Sequence, residues 1–187
     1  NFFIFHKNIH LIMNKQVNLI LILLISVFSF AQNTDGYTLL FKDEEPLKIK
    51  LKYSNKEMNK KTNDSTFIET QLSYEQDGVW KDIDVRLRAR GNFRRNTCYW
   101  PPVRVKIKKS AAKETIFEGN KSLKLVLPCM MEPDRNDNIM KEYMAYKLYE
   151  QISPYHFNAR RVDIDFTEIK GRKEKSHQIK GFLIEDD

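Results

Sequence analysis

The chain has 187 residues, 32 of them Lys or Arg against 25 Asp or Glu, for a formal net charge of +7. That length suits one ordinary domain with a real core, and the basic excess is too small to name a partner by itself. Beyond residue 31 the chain has two cysteines and only His156 and His177, none in a paired spacing, which argues against a zinc site of the cysteine–histidine kind.

Residues 1–12, "NFFIFHKNIHLI", precede the first Met and read as untranslated read-through. Residues 13–31, "MNKQVNLILILLISVFSFA", carry Lys15, an apolar run from Leu19 to Phe28, and small Ser29 and Ala31 before a cut. That order is a secretory signal peptide, and the apolar run is short for a spanning helix of about 20 residues. The expectation is an exported protein, periplasmic, cell-surface or extracellular, with no permanent membrane anchor. Residues 32–187 then form a single domain. Export makes a Cys98–Cys129 disulfide possible, with two buried thiols as the alternative.

In chain order, "PLKIKLKY" alternates Leu47, Ile49, Leu51 and Tyr53 with three lysines, a half-buried strand. "SNKEMNKKTNDS" reads as a flexible polar loop. "TFIETQLSY" and "VWKDIDVRLRAR" flank "EQDG" as a hairpin, the second strand turning Ile83, Val85, Leu87 and Ala89 one way and Arg86, Arg88 and Arg90 the other. "VRVKIKK" and "KSLKLVLP" are two further strands. The period then lengthens: Asp137 or Asn138 caps a helix to about Ile152, with one stripe of Met140, Tyr143, Met144, Leu148 and Ile152 and a second of Ala145, Tyr146 and Tyr149. A helix apolar on two sides is expected to be sandwiched, which leaves Glu142 needing a partner. "ARRVDIDF" and "IKGFLIED" close the chain as strands around a polar loop, "TEIKGRKEKSHQ". The predicted fold class is α+β, an antiparallel sheet with one principal packed helix. The end at Asp187, directly after an apolar strand, reads as a C-terminal truncation.

Between residues 86 and 109 there are nine Lys or Arg and no acid. Two basic strand faces beside a turn at Gly91 make a workable phosphate cradle. A solvated polar face that is simply basic explains the pattern as well. Phe93, Tyr99 and Trp100 could stack on bases and could equally be core, and export removes the chain from most nucleic acid, so none is expected as a partner.

The succession "RLRARGN", "VRVKIK", "SLKLVLP", "IMKEYMAYKLYEQIS", "RRVDIDF", "GFLIED" resembles the first half of the CotH-type secretory protein kinase family. That family shows an Arg-Gly-Asn loop, a strand carrying Lys, a helix with an Ala-Tyr-x-Leu core and a strand ending in Glu. The resemblance implies an atypical kinase-like fold that uses ATP with Mg or Mn to phosphorylate a secreted or envelope protein. It places Arg90, Gly91 and Asn92 near the phosphates, Lys106 on the basic strand, Glu142 in the helix and Glu185 at an adenine-side hinge. A phosphate-binding Lys held by a helix Glu is the arrangement kinases use, which pairs Lys106 with Glu142. Departures are Phe93, Arg94 and Arg95 where the family has Ser or Thr, Pro101 and Pro102 in place of Lys-Lys-Ser, and Lys141 where Arg is usual. The family's catalytic and metal-binding aspartates fall beyond Asp187, so no catalytic residue and no metal ligand is assigned. Two alternatives stand beside this reading: a non-catalytic kinase-derived envelope or structural module, and an extracellular binder of anionic polymer.

Overall fold

A computed structural model describes residues 36–130 and 135–186. The segments read as untranslated leader and signal peptide lie outside them. Seven strands follow in the order β1 (Leu47–Tyr53), β2 (Ile68–Gln76), β3 (Val79–Ala89), β4 (Val103–Ile107), β5 (Ser122–Val126), β6 (Ala159–Lys170) and β7 (Lys173–Glu185). Short helices are α1 (Leu39–Lys42), α2 (Asn55–Lys61), α3 (Phe93–Thr97) and α4 (Lys109–Ala112); α5 (Arg135–Ile152) is the long one.

The strands close into a barrel in the order β1-β2-β3-β4-β5-β7-β6. All neighbours are antiparallel except β1 and β6, which run parallel from Leu47 opposite Val162 to Tyr53 opposite Glu168. This overturns the predicted fold class. An open antiparallel α+β sheet has two unpaired edges, whereas here β1 and β6 satisfy each other's backbone groups and no edge of the sheet is left. Alternation in sequence fixes which side of a strand is apolar but is the same for an open sheet and a closed one.

The alternating strands keep their predicted faces. Ile49, Leu72, Leu87, Val105, Leu125, Ile164 and Leu183, one from each strand, are buried to 2% exposure or less inside the barrel. The β2–β3 hairpin turns at Asp77 and Gly78, both at positive φ, as a two-residue hairpin turn demands. Phe117, from the connection between α4 and β5, meets Tyr74 edge-on at 5.1 Å. Tyr53, Trp100, Phe166 and His177 pack together by ring contacts at one mouth.

Three local readings change. The polar segment after β1 is helical rather than a loop: Ser54 Oγ caps α2 by accepting from the Glu57 N–H, and Met58 is fully buried. One apolar residue is too few to show a helical period. The last polar loop shrinks to a turn at Gly171 and Arg172, because Ile169 and Lys170 pair with Glu174 and Lys173 and carry the strands outward. The long helix begins at Arg135, ahead of Asp137 and Asn138.

Helix α5 lies on the outside of the barrel. Ile139 and Tyr143 are buried with Val126, Ala159, Phe182 and Ile184, and Met140 and Tyr146 pack against that group. Each predicted stripe is only partly covered: Met144, Leu148 and Ile152 of the first and Tyr149 of the second are exposed. The helix is therefore one-sided, not sandwiched. Because β7 has core on one face and α5 on the other, Phe182, Leu183 and Ile184 are all buried, which explains a strand without alternation.

Cys98 and Cys129 form a disulfide, with Cα atoms 4.5 Å apart. It joins the segment after α3 to the segment after β5, and the Tyr99 N–H donates to the Cys129 carbonyl at 2.8 Å beside it. Among the described residues no helix is long and apolar enough to cross a membrane.

Gly181 sits where β7 passes the end of β5. A Cβ there would lie 2.7 Å from the Val126 carbonyl oxygen, a backbone atom held by strand pairing. Gly181→Ala should therefore cost about 1–3 kcal/mol through forced backbone shifts, read as a lower midpoint in chemical denaturation with an unchanged slope.

Candidate functional site

Because the barrel interior is filled by apolar side chains, the basic residues of β3, β4 and β5 have only the outer surface to occupy. Strand register then decides which of them meet. Arg88 lies opposite Arg104, and Arg104 opposite Lys124, so three cations form a row across β3, β4 and β5. Arg86 and Lys106 form a second row one step along, with Lys106 opposite Ser122.

The first row runs toward α5. Arg104 Nη1 meets Asp186 Oδ2 at 3.0 Å, and Lys124 Nζ lies 3.8 Å from Asp186 Oδ1. The Lys124 side chain is only 10% exposed and sits over the Phe157 ring at 4.6 Å. Arg90, just past the end of β3, is half-buried in the same place, its N–H donating to the Pro102 carbonyl at 2.8 Å. Burial first, and then the positive charge of Arg104, push the Arg90 guanidinium below its ordinary value. Arg94, on α3, completes the group: it donates to the Leu127 carbonyl at 2.8 Å and meets Glu142 of α5 at 3.4 Å.

Among the described residues, the four cations Arg90, Arg94, Arg104 and Lys124 thus surround two carboxylates, Asp186 and Glu142. No carboxylate lies within ion-pair distance of Arg90 among those residues. Arg104 Nε and Asp186 Oδ1 are buried without a hydrogen-bond partner. Excess positive charge in a half-buried place is costly unless an anion joins it. The arginine forks are suited to a tetrahedral oxyanion.

The residues singled out from sequence divide between this cluster and other places. Arg90 and Glu142 belong to it, linked through Arg94 and through Tyr146, whose hydroxyl burial and the nearby Glu142 push upward in pKa. Gly91 adopts φ +80° with open space where a Cβ would point, so backbone conformation rather than crowding selects glycine. Asn92 stands exposed at the start of α3 without a side-chain cap bond.

Lys106 is elsewhere. Its ammonium lies over the Phe67 ring at 5.3 Å, in a shallow groove with Glu69, Asp84, Arg86 and Lys108. Among the described residues no ion pair joins it to Glu142, whose partner is Arg94. The physical reason is register: Lys106 is two residues along β4 from Arg104, on the far side of Arg104 from α5. Glu185 is engaged structurally. Its two carboxylate oxygens accept from the Asn158 backbone N–H at 2.8 Å and side-chain amide at 2.9 Å, tying the end of β7 to the start of β6.

Lys124 and Asp186 were not singled out from sequence. Lys124 did carry a signal, a lone basic residue between Leu123 and Leu125 in a strand that is otherwise buried. Asp186 carried none, because its partners come from β4 and β5.

No family model matches this sequence. No curated protein matches it either. Among the described residues no group of three His, Cys, Asp or Glu could hold a metal ion.

Replacing Asp186 with Ala removes a carboxylate that touches both Arg104 and Lys124. Stability should fall by about 1–2 kcal/mol, and inorganic phosphate should raise the melting temperature more in Asp186→Ala than in the unaltered protein. Gly91→Val forces a β-branched residue to positive φ and should cost about 1–2 kcal/mol, measured by chemical denaturation.

Proposed function

We propose that the chain is the phosphate-binding portion of an exported protein, with the anion held by Arg90, Arg104 and Lys124 beside α5. The observation that carries this reading is Arg90: half-buried, repelled by Arg104, and without a carboxylate partner among the described residues. A phosphate group offers the missing charge and several acceptor oxygens at once.

The resemblance to CotH-type secretory kinases, carried by Arg90-Gly91-Asn92 and the order of the following blocks, assigns that phosphate to ATP. It also supplies the reaction, phosphoryl transfer to a secreted or envelope protein. The residues here fit the nucleotide's phosphates. Among the described residues Asp186 is in contact with Arg104 and Lys124, and a divalent Mg or Mn would neutralise the phosphate oxygens those cations leave uncovered. The Lys106–Glu142 pair does not enter this reading, since Arg94 takes that role toward Glu142. The disulfide agrees with an oxidising, exported location.

One observation favours a second reading, binding of an anionic polymer on the neighbouring face. Arg86, Arg88 and Lys106 all lie over the Phe67 ring, at 5.5, 5.8 and 5.3 Å. Arg86 is exposed there while Arg88 and Lys106 are half-buried, and attraction of a polymer to such a surface is screened by salt.

Thermal denaturation with ATP and magnesium or manganese, and separately with inorganic tripolyphosphate, distinguishes the two. On the nucleotide reading both raise the melting temperature. Arg90→Ala or Arg104→Ala removes at least about tenfold in affinity, and Lys106→Ala leaves it unchanged. On the polymer reading Lys106→Ala weakens binding of long-chain polyphosphate, the effect disappears in high salt, and ATP does nothing. No shift with ATP or tripolyphosphate in the unaltered protein would sink the nucleotide reading.

A further inference from the structure

A second place in the molecule is built for a ligand and is separate from the basic cluster. A cleft of about 740 Å³ opens at the mouth of the barrel, between α2, the segment at Cys98 and Tyr99, and the end of β6. Glu168 lies in it with its side chain 3% exposed. One of its carboxylate oxygens accepts from the Tyr99 hydroxyl at 2.7 Å. The other has no hydrogen-bond partner, although Lys170 Nζ and His177 Nε2 both stand 3.3 Å away.

Two amides from α2 add to this. Asn55 is 5% exposed, and its side-chain nitrogen donates to the Tyr99 carbonyl. A carbonyl can only accept, so the amide orientation is settled and Asn55 Oδ1 is the group left buried without a partner. Asn59, one turn along the same helix, leaves its Oδ1 buried and unpartnered as well. Two amide oxygens in one cleft therefore lack donors, beside a carboxylate oxygen that is paired with Lys170 by charge but not hydrogen-bonded.

We propose that this cleft binds a neutral, hydroxyl-rich ligand, a saccharide unit. The charges decide against the other polar classes. Lys56 and Lys170 line the cleft and oppose a cation, while Glu168 and the two amide oxygens oppose an anion. A hydroxyl group donates and accepts together, so adjacent hydroxyls satisfy Asn55 Oδ1, Asn59 Oδ1 and Glu168 and take hydrogen bonds back from the lysine ammonium groups. Tyr99 lines the same cleft with the Lys170 ammonium over its ring at 5.3 Å, so the wall there joins apolar ring surface to a hydrogen-bond donor. The volume falls within the range of small-molecule sites, and barrel mouths are among the places where such sites occur.

The test is ligand-observed saturation-transfer NMR on the full chain with glucose, galactose, mannose, N-acetylglucosamine and their common disaccharides, at concentrations into the tens of millimolar. At least one sugar should show saturation transfer from the unaltered protein. Asn59→Leu and Glu168→Gln should each weaken that binding by about tenfold or more, and Arg90→Ala should leave it unchanged. Asn59 bonds nothing that holds the barrel together, so Asn59→Leu keeps the test decisive if Glu168→Gln fails to fold. Silence across the panel, as for a cleft that holds only water, overturns the proposal. So does a signal of equal strength in Asn59→Leu.

Discussion

The parallel pairing of β1 with β6 is the constraint from which the rest of this structure descends. Five strands in succession could form an open sheet with β1 at a free edge. Instead seven residues of β1 find partners along β6, and the sheet becomes a closed surface with an inside and an outside. Closure removes the edges that would otherwise seek another strand. It also means that each alternating strand must commit one face to the interior, because a one-residue slip would put lysines and arginines in the core.

The outer surface inherits everything the interior excludes. Its arginines and lysines are not spread evenly, since antiparallel register from β3 through β4 to β5 sets Arg88, Arg104 and Lys124 side by side. Where that row approaches α5, the surface is no longer fully solvated. Asp186 and Glu142 offset part of the charge, and Arg90 is left with like charge on one side and partial burial on the other. Lys106 is half-buried as well, but it rests over the Phe67 ring with Glu69 and Asp84 in the same groove. The charge of the neighbours, not the number of basic residues, separates the two places.

At the mouth of the same barrel the chemistry is reversed. Inward-facing positions of β6 run Ile164, Phe166, Glu168, so the apolar lining ends in a carboxylate that shares its surroundings with Tyr99 and His177. The disulfide between Cys98 and Cys129 holds the segment carrying Tyr99 against the connection after β5. One covalent link thus lies between the two polar sites, the basic cluster reached through Arg94 and the mouth cleft reached through Tyr99.

Alternation alone determined the faces of β1, β3 and β4, and the positive-φ turn at Asp77 and Gly78 is legible as a hairpin because few other sequences turn so tightly. Local patterns of that sort need no distant partner. Sequence order also placed Arg90 and Gly91 beside each other and beside a basic strand. What tertiary structure decided is every relation between elements that are far apart in the chain. Closure by β1 and β6 joins segments separated by over a hundred residues, and no periodicity within either segment encodes it. The same holds for Arg104 and Lys124 with Asp186, for Glu142 with Arg94 instead of Lys106, and for Glu168 with Tyr99. A side chain's role as a ligand-binding group depends on its burial and its neighbours' charges, and both are set only when the sheet closes around its core.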